Sequence, residues 1–363
     1  MYASLKREKN LLLALLLTVL AYAVEHSLTE SGRTIALVAT GLMILTIVLA
    51  SLRVAHHAEL LAHRVGDPYG TMILTLSAVL VEVVILAIML SHTRSPTLAR
   101  DTIYSAVMLD VNGILGIAAV LGGLKHGEQP YNVDSGNSYI VMIMTAMGVS
   151  MVVPEFVPMR NWQTYSIFTI VLMLVLYGMF LRLQTGQHSH FFRFKYVEAR
   201  RNAHGEDREE ADTPLAESVL CLASGIVIIG LLAEVMSKTL EVGIEGTGVP
   251  AIVGALLVAI ISASPEVVTA MRAALGNRMQ PVVNIALGAS LSTVILTVPV
   301  IEAIALFTGR QIEMAMTPVQ TVMITLTMLV AAINLHDGET NAIEGITHFV
   351  LFATFLMLSL MGI

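Results

Sequence analysis

Two glutamates stand in this chain where a carboxylate is expensive. Glu82 lies in AVLVEVVILAIML, with no lysine, arginine or histidine between it and His92, and Glu266 lies in IISASPEVV, directly after Ser262, Ser264 and Pro265. Holding a charge inside such an apolar run costs several kcal/mol, roughly 2.5 to 3.5 for a central Asp on the insertion scale. Each side chain is therefore expected to face a polar cavity. Pro265 kinks its helix and deprives the Ile261 carbonyl of its usual donor. A freed carbonyl and two serine hydroxyls beside a carboxylate suit a hard cation such as Ca²⁺, which takes about six to eight oxygen ligands. The bland alternatives are a permanently protonated, structurally hydrogen-bonded Glu82, and an ordinary proline kink with Glu266 at the water interface.

Two such carboxylates facing each other at the midplane repel when both are ionised, and desolvation raises their pKa further. A divalent cation or protons must then neutralise the pair, which titrates as a unit. That competition is a mechanism for antiport without ATP: the metal binds the ionised pair and protons displace it.

Other polar residues surround this pair in the sequence. Asn112 and Asn284, each followed four residues later by glycine (Gly116, Gly288), are expected either as carbonyl ligands or as interhelical hydrogen-bonding groups between closely packed helices. Asp110, in MLDVNG, is a third acid in an apolar run and has no counterpart in the second half. Glu59 and Glu234 precede the two glutamate-bearing runs in matching places, and with Asp101 they suit entrance or gating carboxylates; solvated interfacial acids are the alternative. His56, His57 and His63 lack the spacing of a zinc-protease helix and read as an interfacial cluster. No His-Glu-x-x-His or Gly-x-Ser-x-Gly is present, so an enzyme is not expected.

The elements that position these residues follow from composition. Of 363 residues 56% are hydrophobic and 13% charged, against about 25% charged in a soluble domain. The apolar residues come in continuous blocks of about 20, the length of a helix crossing about 30 Å of hydrocarbon. An all-α polytopic membrane protein with about eleven spans is predicted, near 10–25, 34–53, 70–91, 102–124, 138–158, 164–183, 215–237, 249–276, 281–308, 317–335 and 342–362. Residues 1–23 also resemble a cleavable signal peptide, although a first transmembrane helix explains the same residues. Lysine and arginine concentrate in the segments on the N-terminal side, among them Lys6, Arg7, Lys9, Arg193, Lys195 and Arg200, which places the N-terminus in the cytoplasm and the C-terminus outside. The single cysteine, Cys221, excludes an internal disulfide.

Residues 184–214 form the one long hydrophilic segment, acidic and histidine-bearing, and divide the chain. The predicted organisation is an N-terminal helix with its outer loop (1–33), a first five-helix repeat (34–183), this cytoplasmic linker (184–214) and a second five-helix repeat (215–363). Five is odd, so the two repeats enter the bilayer from opposite faces, as in inverted-repeat transporters. Ala58-Glu59, a Gly/Pro break, Glu82 and Asn112-x-x-x-Gly116 recur in order as Ala233-Glu234, a Gly/Pro break, Glu266 and Asn284-x-x-x-Gly288.

The stretches HAELLAHRVGDPYG (57–70), RDTIYSAVM (100–108), NGILG (112–116) and SPEVVTAMRAALGNRMQPVVNIALGASLSTVILTVP (264–299) resemble the Ca²⁺:cation antiporter superfamily, and within it bacterial Ca²⁺/H⁺ antiporters of the ChaA type. The resemblance implies ten core helices in two inverted repeats plus one N-terminal helix. It also implies that Glu82 and Glu266 are the family's two repeat glutamates, with polar ligands near Asn112, Ser262, Asn284 and Ser290. The broader family often has Gly-Asn shortly before each glutamate; this chain has Val79-Leu80-Val81 and Ala263-Ser264-Pro265. The implied activity is exchange of Ca²⁺ for H⁺ across a prokaryotic inner membrane, with Na⁺(K⁺)/H⁺ exchange as the alternative on the same scaffold. No cofactor is expected beyond the transported ions. The expected partners are lipid and those cations, and no nucleic acid.

Overall fold

A computed structural model describes residues 8–65, 69–92, 95–194 and 215–363. The helices are α1 (Lys9–Glu30), α2 (Arg33–Val65), α3 (Tyr69–His92), α4 (Leu98–His126), α5 (Val133–Phe156), α6 (Met159–Thr185), α7 (Leu215–Ile244), α8 (Ala251–Ser262), α9 (Ser264–Leu275), α10 (Met279–Thr308), α11 (Pro318–Asn334) and α12 (Ala342–Met361). Among the described residues the only strands are β1 (Gln129–Pro130) and β2 (Glu339–Thr340), an antiparallel pair with Gln129 opposite Thr340. Most of the 184–214 linker, Lys6 and Arg7, and the Gly66 to Pro68 break lie outside the described residues.

Among the described residues eight helices are long and apolar enough to cross a membrane, or nine if α8 and α9, bent by 56° at their break, are counted together as one span. The shorter apolar stretches Leu76–Ser91 and Pro318–Asn334 supply the two remaining expected segments. Large apolar side chains turn outward, as at Val19, Leu124 and Phe307. In water such surfaces aggregate, whereas in hydrocarbon they match their solvent. The chain is a multi-pass membrane protein. Polar caps end the apolar runs: Thr317 and Gln320 close a reciprocal capping box on α11, and the Asn341 side chain accepts from the backbone N–H groups of Ile343 and Glu344 at the start of α12.

Packing groups the chain into two units, each drawing helices from both halves of the sequence. The first holds α1, α2, α3 and α7. Glycines on α7 let α2 approach: a Cβ on Gly225 would lie 2.5 Å from Val54 Cγ2, and one on Gly243 would lie 2.5 Å from Leu37 Cδ2. These glycines are about five turns apart and so share one face. Between them Thr40 and Thr239 join hydroxyls at 2.9 Å.

The second unit holds α4 to α6 and α8 to α12. In it α4 crosses α12 closely: a Cβ on Gly345 would lie 2.5 Å from the Val120 nitrogen and one on Gly116 would lie 2.9 Å from His348 Cβ. Three of its spans carry π turns: Leu109–Ile114 in α4, Gly148–Val152 in α5 and Thr293–Thr297 in α10. A π turn adds a residue to the helical ring and re-aims the side chains it carries, and such turns concentrate at functional sites.

Candidate functional site

The span bearing Glu266 is predicted as one kinked helix, and the break is sharper than a kink. Helix α8 ends at Ser262, α9 begins at Ser264, and Pro265 occupies the first turn of α9, where a missing N–H is tolerated. The Ile261 carbonyl released by the proline is taken by the Ser264 hydroxyl at 2.8 Å, and the Ser262 hydroxyl donates to the Ala259 carbonyl at 3.1 Å. Each serine oxygen has spent its proton on its own helix and keeps lone pairs for a further partner. Glu266 sits half-buried in the first turn of α9. The amide end of that helix favours a negative charge.

Helix α9 packs against the π turn of α4 and against α10. The π turn carries Asp110 and Asn112, both buried. The Ser290 hydroxyl of α10 donates to Asp110 Oδ2 at 3.2 Å. Asn112 Nδ2 donates to Thr327 Oγ1 of α11 at 2.8 Å, and its Oδ1 accepts from His348 Nδ1 of α12 at 2.9 Å. The second unit thus contains a buried polar core in which the π turn pairs Asp110 with Ser290 of α10 and, separately, Asn112 with Thr327 of α11 and His348 of α12. Carboxylate, amide and hydroxyl oxygens of this kind are hard donors, which alkali and alkaline-earth ions prefer.

Of the residues expected from sequence, Asn112 and Ser290 belong to this core, and Ser262 and Glu266 lie at the adjoining helix break. Asn284 is engaged elsewhere. Its Nδ2 donates to the Phe192 carbonyl at 2.9 Å, and its Oδ1 accepts from Gln280 Nε2 at 2.9 Å, so it ties α10 to the turn Ser189–Phe192 that follows α6. Glu82 belongs to the first unit, on α3, where it is buried.

Among the expected entrance carboxylates, Glu59 is half-buried on α2. Glu234 accepts from the Tyr22 hydroxyl at 2.8 Å and from Lys238 Nζ at 3.0 Å; Lys238 also reaches Glu25 at 2.7 Å, joining α1 to α7. Asp101 is buried in α4, where it accepts from Arg100 Nε at 2.9 Å and from Gln320 Nε2 at 3.0 Å. Arg100 continues to the Ala315 carbonyl at 3.0 Å and to Glu313 at 3.3 Å. Outside the spans, burial works against the charge of Glu8, yet hydrogen bonds and positive field from Arg53 and His57 outweigh it and hold the carboxyl below its usual value.

Three residues escaped the sequence reading. His348 and Thr327 carry no local signal, because one histidine or threonine in an apolar helix is unremarkable until a partner is known. Glu302 did carry one: it is an acid in VPVIEAIALF, and it proves buried in α10 and hydrogen-bonded to Ser166 of α6.

Residues 35–186 and 217–361 match the model of the sodium/calcium exchanger protein family. A putative ionic transporter, y4hA, of Sinorhizobium fredii is 34% identical over 347 residues, covering 94% of this chain and 92% of the relative. The sodium-potassium/proton antiporter ChaA of Escherichia coli is 32% identical over 355 residues, covering 95% of each chain. The fold is similar to the crystal structures of the Ca²⁺/H⁺ antiporter YfkE (TM-score 0.73, 16% identity, 96% of this chain and 99% of that one) and the H⁺/Ca²⁺ exchanger CAX (TM-score 0.66, 17% identity, 98% and 89%).

Proposed function

Because this chain belongs to the sodium/calcium exchanger protein family, we propose that it is a secondary cation/proton antiporter that exchanges Ca²⁺ for H⁺, with cation and protons competing for Glu82 and Glu266. Its relatives are transporters, and the chain is a transporter and not an enzyme.

The observation that carries the reading is the broken span. It presents a carboxylate at a helix start, two serine oxygens beside it, and a buried core of further oxygens on the helix it packs against. Asn112, Ser262 and Ser290 are proposed as neutral ligands. Asn284 is proposed to act from its place beside the Phe192 turn, and Glu59, Glu234 and Asp101 to act on ion entry. An ion bound to an ionised carboxylate leaves when protons neutralise that carboxylate, so uptake of one species drives release of the other. The protein is proposed to sit in the inner membrane with its N-terminus in the cytoplasm and its C-terminus outside, in two inverted five-helix repeats (34–183 and 215–363) joined by the 184–214 linker.

Na⁺(K⁺)/H⁺ exchange is the second reading. It is favoured by the relative named for that activity, which is 32% identical, whereas the named Ca²⁺/H⁺ antiporter of Aphanothece halophytica is 23% identical. Purified protein in liposomes with an imposed pH gradient distinguishes the two. Accumulation of radiolabelled Ca²⁺ that excess Na⁺ or K⁺ leaves unchanged supports the first, and Na⁺ or K⁺ uptake without Ca²⁺ uptake supports the second. Either activity should vanish in Glu82→Gln and in Glu266→Gln; transport surviving in both variants rejects the proposed site.

A further inference from the structure

A cluster unrelated to the oxygen-rich core lies at one end of the first unit. Glu8 immediately precedes α1, His57 lies towards the end of α2, and Cys221 lies two turns into α7. Their ligand atoms, a carboxylate oxygen, an imidazole nitrogen and the thiol sulfur, all fall within 4.8 Å of one another. Glu8 Oε1 is 3.2 Å from His57 Nε2, and His57 is only 1% exposed. From these residues we infer a binding site for a borderline-soft divalent transition metal of the Zn²⁺ class, made of none of the residues proposed for the transported cation.

The ligand chemistry selects the metal. Carboxylate, imidazole and thiolate are the three side chains from which zinc sites are built, and three protein ligands leave a fourth tetrahedral position for water. With metal–ligand bonds of about 2.0 to 2.3 Å, the edges of such a tetrahedron are about 3.3 to 3.7 Å. The observed set closes onto a metal through side-chain rotations of about 1 Å. Ca²⁺ and Na⁺ prefer oxygen and gain little from sulfur or nitrogen, so this site does not compete for the proposed cargo.

Among the described residues, Arg53 is the cation that contacts the cluster. Its Nε donates to Glu8 Oε2 at 3.2 Å, its Nη2 donates to Oε1, and the same Nη2 lies 3.4 Å from His57 Nε2. Metal entry takes Oε1 and Nε2 and leaves Arg53 on Oε2, the outer contact that commonly orients a ligating carboxylate. Among the described residues His57 Nδ1 has no hydrogen-bond partner, and so no outer acceptor of the kind that strengthens a ligating histidine by about 10- to 100-fold in affinity. Together with the repulsion from Arg53, this makes the site exchangeable instead of permanent. Binding replaces the Sγ–H bond by an Sγ–metal bond and releases that proton to water. Because the ligands come from three different segments, an occupied site staples α1, α2 and α7 at that end.

The lone cysteine makes the test direct. Full-length protein in detergent is titrated with Co²⁺ and Zn²⁺, and Cys221, which is half-buried, is labelled with a thiol reagent. The site predicts a thiolate-to-cobalt charge-transfer band at one equivalent, its loss on adding Zn²⁺, and Cys221 labelling slowed about tenfold or more by Zn²⁺ and restored by chelator. The affinity should fall by at least about tenfold in His57→Gln and in Glu8→Gln. Cys221→Ser should lose the band while retaining metal-free cation/proton exchange. An absent band, labelling indifferent to Zn²⁺, or a band undiminished in both His57→Gln and Glu8→Gln would overturn the assignment, the last by showing a thiol that binds metal without the other two residues.

Discussion

Asn112 offers the sharpest test of how the second unit is held together. It is fully buried, and its amide serves two other helices at once, donating to Thr327 on α11 and accepting from His348 on α12. Asn112→Leu preserves the approximate volume and removes both interhelical bonds, together with a weak 3.6 Å bond from Nδ2 to Met108 Sδ on its own helix. Hydrogen bonds between membrane helices average about 0.6 kcal/mol and reach about 1.7, so two of them amount to about 1 to 3 kcal/mol. The upper end is expected, for two reasons. The His348 Nδ1–H would be left buried without its acceptor, and its Nε2 already has no partner among the described residues. Thr327 loses less, because its hydroxyl retains the Met108 sulfur at 3.5 Å. Reversible unfolding in mixed micelles measures the loss, and a double-mutant cycle with His348→Leu isolates the pair. A coupling energy of about 1 kcal/mol is expected, with the double variant more stable than the sum of the single losses predicts. Additivity within about 0.5 kcal/mol, or a single variant as stable as wild type, would refute the argument that this amide bridges three helices.

The buried Arg100–Asp101 pair gives a second prediction: Arg100→Met should cost about 3 to 5 kcal/mol by removing the cation that faces the buried Asp101 carboxyl, and Arg100→Met with Asp101→Leu should recover most of that in the same unfolding assay. At the α4–α12 crossing, Gly345→Ala places a carbon 2.5 Å from the Val120 nitrogen and should lower the melting temperature by the equivalent of about 1 to 3 kcal/mol. Gly178→Ala, in α6 with no atom of the described residues within 4 Å of the new carbon, should instead be neutral or stabilise by up to about 1 kcal/mol.

The membrane context, the eleven apolar segments and a bend at Pro265, though not its sharpness, were legible in the residues themselves. Each rests on a local quantity: an apolar run long enough to cross hydrocarbon, a proline without a donor, an acid whose neighbours cannot solvate it. Glu302 was legible by the same rule. What the chain alone could not disclose is which polar groups meet. Asn112 finds Thr327 and His348 more than 200 positions away, whereas Asn284, which occupies the matching place in the second half, turns to the backbone of Phe192. Similar motifs thus acquire different partners, because a hydrogen bond depends on about 3 Å of space and on direction, neither of which sequence order encodes across helices. The same holds for Cys221: in the sequence it is a single thiol that excludes a disulfide, and only the packing of α7 beside α2 and the start of α1 brings it to His57 and Glu8.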